Sequence, residues 1–379
     1  MKNIAFVSNV LSKYRVPCFR RLTEKMHGRV TFYFFAQKME HRSIVLSDKH
    51  HQIKARWLQG WKWRSPPKDD RHLNNILPII RGNHDILVLS AWDEPSYVLL
   101  WLWAVLLRKK VIFWIESTLE DAPRHGLKET CKKVLLRKAA GCIVPGRQSY
   151  EYCRALGMPE RRIFVAPNAT DRDFFRYQAD GLLPRREELR REFGLSGVVI
   201  LFVGRMVEEY KNVSYLLRCF QRLSKSGKEV SLALVGNGPD RDNYENMIKS
   251  KNISRVQLLG EMGHEQLCRV YAASDIMVLP SRCEPWGFVL NEAMEFGLPL
   301  VVTDAIGAGP DLVRPGENGF IVPSGDEGEL VKALEKLIND PGLRTSMGEA
   351  SRRIVAHFSP ENWAAGVVSA IKSVSREAR

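Results

Sequence analysis

The 379-residue chain has no apolar run long enough to cross a bilayer. Its most apolar stretch, Tyr97 to Leu107, is 11 residues long and stops at Arg108-Lys-Lys. A spanning helix needs about 20 such residues, so this one reads as buried or interfacial. Met1-Lys-Asn-Ile-Ala-Phe-Val-Ser reads directly as a first strand, and no signal peptide is expected. The seven cysteines include no C-x-x-C pair and none grouped with histidine. That pattern argues against zinc and disulfide scaffolds and predicts reduced thiols in a cytosol. No G-x-G-x-x-G follows the first strand and no G-x-x-x-x-G-K-[ST] occurs, so dinucleotide and P-loop readings lack support. Internal repeats and low-complexity tracts are absent as well. Acidic residues are scarce in one half only: residues 1–180 hold 32 Lys and Arg against 17 Asp and Glu, a balance of +15. The remainder is near neutral, at 25 against 26. A basic half suits an anionic partner: a membrane surface, a lipid-phosphate acceptor or nucleic acid.

Short apolar runs alternate with amphipathic stretches along the whole chain. In the first half, Ile4–Val7, Val30–Phe35, Asp85–Leu89, Val111–Ile115, Gly141–Val144 and Ile163–Ala166 read as strands. In the second, Val198–Val203, Ser231–Val235, Val256–Leu258, Ile276–Leu279 and Leu300–Thr303 do. Strands separated by helices of about ten residues predict parallel sheets covered on both faces. At this length two domains are expected. Residues 38–75 carry Trp57, Trp61 and Trp63 among Lys54, Arg56, Lys62, Arg64 and Lys68. Aromatics among cations suit a membrane interface, a nucleic acid, or a hairpin whose tryptophans pack inward.

The chemistry concentrates after the strand Ile276–Leu279. Ser281-Arg-Cys-Glu-Pro-Trp-Gly forms a tight loop, and Phe288 to Phe296 follows as a helix closed by Gly297. A strand, a loop and a helix N-terminus make an anion site, because free N–H groups and the helix dipole point outward there. Glu284 in the loop and Glu292 in the helix cannot bind a phosphate, but they can accept bonds from hydroxyls beside one. Gly204-Arg205 and Lys211 follow another strand and offer cations for a diphosphate. Leu234-Val-Gly-Asn-Gly-Pro, with Gly236 and Asn237, is a tight glycine turn at a third strand end. Asp171-Arg-Asp173 and Asp240-Arg-Asp242 resemble metal-binding pairs, but their positions suit helix caps, and no metal is expected.

In that order, Phe202-Val-Gly-Arg-Met-Val-Glu-Glu-Tyr-Lys-Asn, Leu234-Val-Gly-Asn-Gly-Pro, Tyr271-Ala-Ala-Ser-Asp, Leu279-Pro-Ser-Arg-Cys-Glu-Pro-Trp-Gly and Gly316-Glu-Asn-Gly-Phe-Ile-Val-Pro resemble the retaining nucleotide-sugar glycosyltransferases of family four, the glycosyl transferases group 1. The first half is similar more loosely, through Tyr14-Arg-Val-Pro, Trp114-Ile-Glu-Ser-Thr, Val144-Pro-Gly and Ala166-Pro-Asn-Ala-Thr-Asp. The resemblance implies an α/β fold of GT-B type, two Rossmann-like doubly wound domains facing across a central cleft. It implies an acceptor-binding domain at 1–170, a linker at 171–194, a donor-binding domain at 195–360 and a helix at 361–379 crossing back. Arg205 and Lys211 would hold the donor diphosphate, Glu284 the sugar and Glu292 the ribose. Gly204, Gly236, Asn237 and the amides of Gly287, Phe288 and Val289 would line the pocket. Three features depart from the family. Lys211 comes one residue late, Gly307-Ala-Gly-Pro-Asp311 replaces a glycine pair followed by glutamate, and Glu116 stands where a histidine is frequent. A Glu116 facing the reacting carbon would stabilise an oxocarbenium-like state or orient the acceptor.

The expected protein is therefore a cytoplasmic, metal-independent, retaining hexosyltransferase that uses a nucleoside-diphosphate sugar, UDP foremost, and no cofactor. Its acceptor would be lipid-linked or anionic, for cell-surface polysaccharide or glycolipid synthesis, with peripheral membrane contact through the basic half and no nucleic acid. Two rivals remain: a nucleotide-sugar epimerase of the same shape, and a nucleic-acid-binding module built on the basic half.

Overall fold

The computed structural model describes residues 2–36, 53–65, 68–92, 94–119, 126–225 and 227–376. The chain divides into two compact units, Met1–Thr170 with Ser359–Arg379, and Asp171–Phe358.

In the first unit the strands are β1 (Ile4–Val10), β2 (Val30–Ala36), β3 (Ala55–Trp57), β4 (Gly60–Ser65), β5 (Lys68–Asn74), β6 (Ile86–Leu89), β7 (Lys110–Trp114), β8 (Gly141–Val144) and β9 (Ile163–Val165). The helices before the second unit are α1 (Arg15–Lys25), α2 (Leu77–Ile80), α3 (Pro95–Leu106), α4 (Leu127–Lys138) and α5 (Arg147–Ala155). Seven strands form one sheet in the order β3-β2-β1-β6-β7-β8-β9, every neighbouring pair parallel. β4 and β5 stand apart as an antiparallel hairpin. Central strands such as β6 and β8 are apolar and buried throughout, as a sheet covered on both faces requires.

The second unit begins with α6 (Arg172–Leu182) and α7 (Arg186–Glu192). It continues through β10 (Val198–Val203), α8 (Glu208–Lys211), α9 (Val213–Lys225), β11 (Val230–Val235), α10 (Arg241–Ser250), β12 (Val256–Gly260), α11 (His264–Ala273) and β13 (Ile276–Leu279). Then come α12 (Phe288–Glu295), β14 (Leu300–Thr303), α13 (Gly309–Leu312), β15 (Gly319–Val322), α14 (Glu327–Asn339) and α15 (Pro341–Val355). Its sheet is parallel, in the order β12-β11-β10-β13-β14-β15. Residues 171–194, expected as a linker, fold into this unit. Phe175 and Ala179, one turn apart on α6, are buried in its core together with Leu189 of α7. Asp171 caps α6 by accepting from the Phe174 amide at 3.4 Å, the role its position suggested.

The last helix, α16 (Pro360–Arg376), returns to the first unit. Its Trp363 is fully buried, with ring centres 5.0 Å from Trp114, 5.7 Å from Phe19 and 6.3 Å from Phe6. α1 and α16 thus cover one face of the sheet, while α3, α4 and α5 cover the other.

The tryptophan-rich stretch corrects one expectation. Trp57 is half-buried against Phe34, with ring centres 5.8 Å apart, but Trp61 at the start of the hairpin is 84% exposed rather than packed inward. The side chains of Lys62, Trp63, Arg64 and Lys68 lie outside the described residues.

Candidate active site

In the second sheet the strand order reverses between β10 and β13, whose residues Ile200 and Ile276 stand side by side. Loops leaving such neighbours diverge to opposite faces and open a crevice at the carboxyl ends of the strands. The expected donor residues lie on these loops. Gly204 and Arg205 leave β10, Gly236 and Asn237 leave β11, and residues 280–287 leave β13. Arg205 and Asn237 are exposed, Lys211 and Glu284 half-buried.

The glycine turn after β11 has a steric cause. Gly236 has φ +138°, and a Cβ there would lie 1.9 Å from the Gly204 carbonyl oxygen. Only glycine lets the two loops approach this closely. The β10 loop is fixed by Glu208. Its carboxylate accepts from the Ser214 amide at 3.1 Å and the Tyr244 hydroxyl at 3.0 Å, and its own amide donates to Asp240 at 2.9 Å. The late position of Lys211 does not displace it: Lys211 ends α8, and its Nζ forms an ion pair with the Glu284 carboxylate. The Arg282 amide donates to the Tyr210 carbonyl at 2.8 Å and so holds the two loops together.

Glu284 is held from its other side by the segment that departs from the family pattern. The Gly307 amide donates to the Glu284 carbonyl at 2.7 Å, and the Glu284 amide donates to Ala305 at 3.3 Å. Gly287 then takes φ +85° and opens α12, which carries neither a side-chain cap nor an acidic residue in its first turn. The positive end of α12 is therefore uncompensated by the helix itself, in the crevice where Lys211 and Arg205 add cations.

Glu292 lies deeper than a wall residue. It has no exposed surface, and its Oε2 accepts from the Tyr271 hydroxyl at 2.8 Å. A ligand hydroxyl reaches this carboxylate only if the side chains that cover it move. One turn on, buried Glu295 pairs with Arg172 at 3.0 Å and ties α12 to α6. Burial outweighs the attraction of Arg172 and raises the Glu295 carboxyl to about 7. A carboxyl raised on folding makes the native state bind the extra proton, so its stabilising effect holds below the unfolded value and fades as pH rises through about 7. Glu295→Gln is expected to raise the thermal midpoint at pH 8 and leave it nearly unchanged at pH 5, as calorimetry of both proteins at the two pH values would show.

Glu116 belongs to the first unit, just beyond β7. Its Oε1 pairs with Arg15 and accepts from Trp114 Nε1 at 3.1 Å. Arg15 also donates to Asn168 Oδ1 at 2.8 Å, with its guanidinium 4.7 Å from the Trp114 ring centre. Sequence reasoning singled out Glu116 but not Arg15 or Asn168, although all three fall inside the quoted first-half motifs. Among the described residues no group of three His, Cys, Asp or Glu is placed to hold a metal ion. A cavity of about 820 Å³ lies against α1 and α16, with Lys25, Lys372 and Arg376 in its lining.

Residues 185–354 match the family model described as glycosyl transferases group 1. The matched region lies within the second unit and covers less than half of the chain, which is similar to that family there. It is 31% identical over 237 residues to alpha-D-kanosaminyltransferase of Streptomyces kanamyceticus, covering 62% of this chain and 60% of that protein. It is also 31% identical over 264 residues to D-inositol 3-phosphate glycosyltransferase of Corynebacterium aurimucosum, covering 66% of this chain and 60% of that protein. The chain thus spans less than two thirds of these relatives' length. Among solved structures, Anabaena HepE in complex with UDP superimposes with a TM-score of 0.75 at 18% identity, over 98% of this chain and all of that one (100%). A glycosyltransferase from Rickettsia africae does so at 0.74 and 16% identity, with 100% of both chains covered. These likenesses show the fold, GT-B, with two Rossmann-like halves.

Proposed function

We propose that the protein is a retaining glycosyltransferase that moves a hexose-type sugar from a nucleoside diphosphate, UDP foremost, to an acceptor held by the basic first unit. The observation that carries this reading is the Lys211–Glu284 ion pair beside the uncapped start of α12. A cation and a helix terminus answer the diphosphate, while the adjacent carboxylate answers sugar hydroxyls. The UDP bound in the Anabaena structure of the same fold supports the choice of nucleotide.

In this reading the bond from the anomeric carbon to the phosphate oxygen breaks as the bond to the acceptor oxygen forms on the same face. The acceptor's proton passes to the leaving phosphate, so no protein nucleophile is required. Arg205, Lys211 and the α12 amides offset the charge that develops on the diphosphate, the largest catalytic effect such a site offers. The proposed acceptor is lipid-linked or anionic, used in cell-surface polysaccharide or glycolipid synthesis at the cytoplasmic membrane face.

The test is a thermal-shift panel with UDP, GDP, ADP and dTDP, on wild type, Glu292→Ala and Glu292→Gln. Each shift is measured against the same protein without nucleotide. A ligand at a hundred times its dissociation constant stabilises the folded state by about 2.7 kcal/mol. UDP is expected to shift wild type, with the shift much reduced in both variants. A wild type that no nucleotide shifts would sink the donor reading. Isomerisation of the donor sugar with no acceptor present would favour the epimerase. A steeply salt-dependent affinity for a nucleic-acid duplex, without any nucleotide effect, would favour the binding module.

A further inference from the structure

We infer that α3 and α4 of the first unit form a docking surface for an anionic lipid bilayer. The inference stands on this surface and not on the donor site. α3 carries no charged residue from Pro95 to Leu107. Tyr97, Leu100, Trp101 and Ala104 bury one side of it against the sheet. The opposite side is also apolar and faces water: Leu99 is 44% exposed, Leu102 51% and Leu106 80%, at the spacing of one helical stripe. A helix apolar on both sides has its outer side covered by something, and among the described residues nothing covers this one.

Charge identifies the cover. α4 packs into the same hydrophobic cluster as α3, on the same face of the sheet, and presents exposed Lys133, Arg137 and Lys138 around exposed Val134. Exposed Arg108 follows the end of α3, and Lys109 lies 5.3 Å over the Trp103 ring. An apolar stripe flanked by cations matches the layers of an anionic bilayer, acyl chains beneath and phosphates at the rim. Two copies of the same surface would bring these cations together, which disfavours self-association. The hairpin adds a third feature. The Asn74 amide at the end of β5 donates to Ser96 Oγ at 2.9 Å, fixing the hairpin to the first turn of α3. Leu73, next to Asn74, pairs across the strands with Trp61, and both are exposed. A tryptophan in such a position suits the headgroup layer.

The test is co-sedimentation of the full chain with vesicles of phosphatidylcholine alone and of equal parts phosphatidylcholine and phosphatidylglycerol. Light scattering and thermal midpoints accompany it. Wild type is expected to sediment with the anionic vesicles and not with the neutral ones. The triple change Lys133→Glu, Arg137→Glu and Lys138→Glu is expected to weaken partitioning by about a hundredfold or more. The pair Leu102→Glu and Leu106→Glu is expected to weaken it more than about tenfold. All variants should keep the wild-type midpoint and the nucleotide-induced shift, because every altered side chain is exposed. Three results would each overturn the inference: no sedimentation of wild type with anionic vesicles, undiminished sedimentation of the leucine variant, or a wild-type dimer that the leucine changes dissociate.

Discussion

Lys211→Ala is expected to lower kcat for sugar transfer by roughly a hundred- to a thousandfold, the cost typical of removing one preorganised group that meets developing negative charge. In the proposed reaction the effect should fall on kcat more than on KM, because there the leaving diphosphate gains charge as its bond to the sugar breaks. In the protein as it stands, Lys211 is paired with Glu284, so removing it also leaves a half-buried carboxylate without its cation. Lys211→Arg separates the two effects. It restores a positive charge to Glu284 but presents a planar fork instead of a point charge, so stability should return while transfer stays impaired. Steady-state kinetics on both variants, with thermal midpoints alongside, check this. A Lys211→Ala protein of wild-type kcat would remove Lys211 from the chemistry.

Trp363→Ala is expected to destabilise the first unit by about 3–5 kcal/mol, the usual cost of emptying a large buried aromatic site. Trp363 is fully buried and touches rings from β1, α1 and β7 at once, so the cavity it leaves has walls from three elements that cannot all collapse into it. The change should lower the denaturation midpoint of the first unit while the second, whose core contains no residue beyond Phe358, keeps its own. A single transition that moves as a whole would show instead that the units unfold together. His84 gives the first unit a second signature. Burial, reinforced by Lys109, lowers its imidazole to about 4, so its stabilising effect holds above the ordinary value and is lost as pH falls through about 4. Glu295 gives the second unit the opposite slope.

Much of this architecture was legible in the chain because parallel strands buried on both faces leave continuous apolar runs. β6, β8, β10 and β13 lie where those runs are. The loop from Ser281 to Gly287 was legible for a related reason: a proline and a glycine between a strand and an apolar helix admit few conformations. Contacts between distant segments were not. Nothing in the spacing of Gly307 announces that its amide holds the Glu284 carbonyl, and nothing local links Arg15 to Glu116. The boundary at 171–194 misled because its turn residues are local, whereas its membership of the second unit depends on Phe175, Ala179 and Leu189 reaching a core assembled from later strands. Glu292 shows the limit most plainly. Its helical position predicts a residue near the crevice, but its depth follows from Tyr271, brought in by a different helix.

The place of α16 bears on how the protein is made. The second unit, Asp171–Phe358, is an insertion within the first, whose remaining piece is made only after the whole inserted unit. While the inserted unit can fold as it emerges, the apolar face formed by Phe6 and Trp114 of the sheet and Phe19 of α1 waits for Trp363, Val367 and Ile371. The nascent chain thus carries an adhesive apolar face throughout synthesis of the inserted unit, and holding that face from solvent is a natural task for a chaperone.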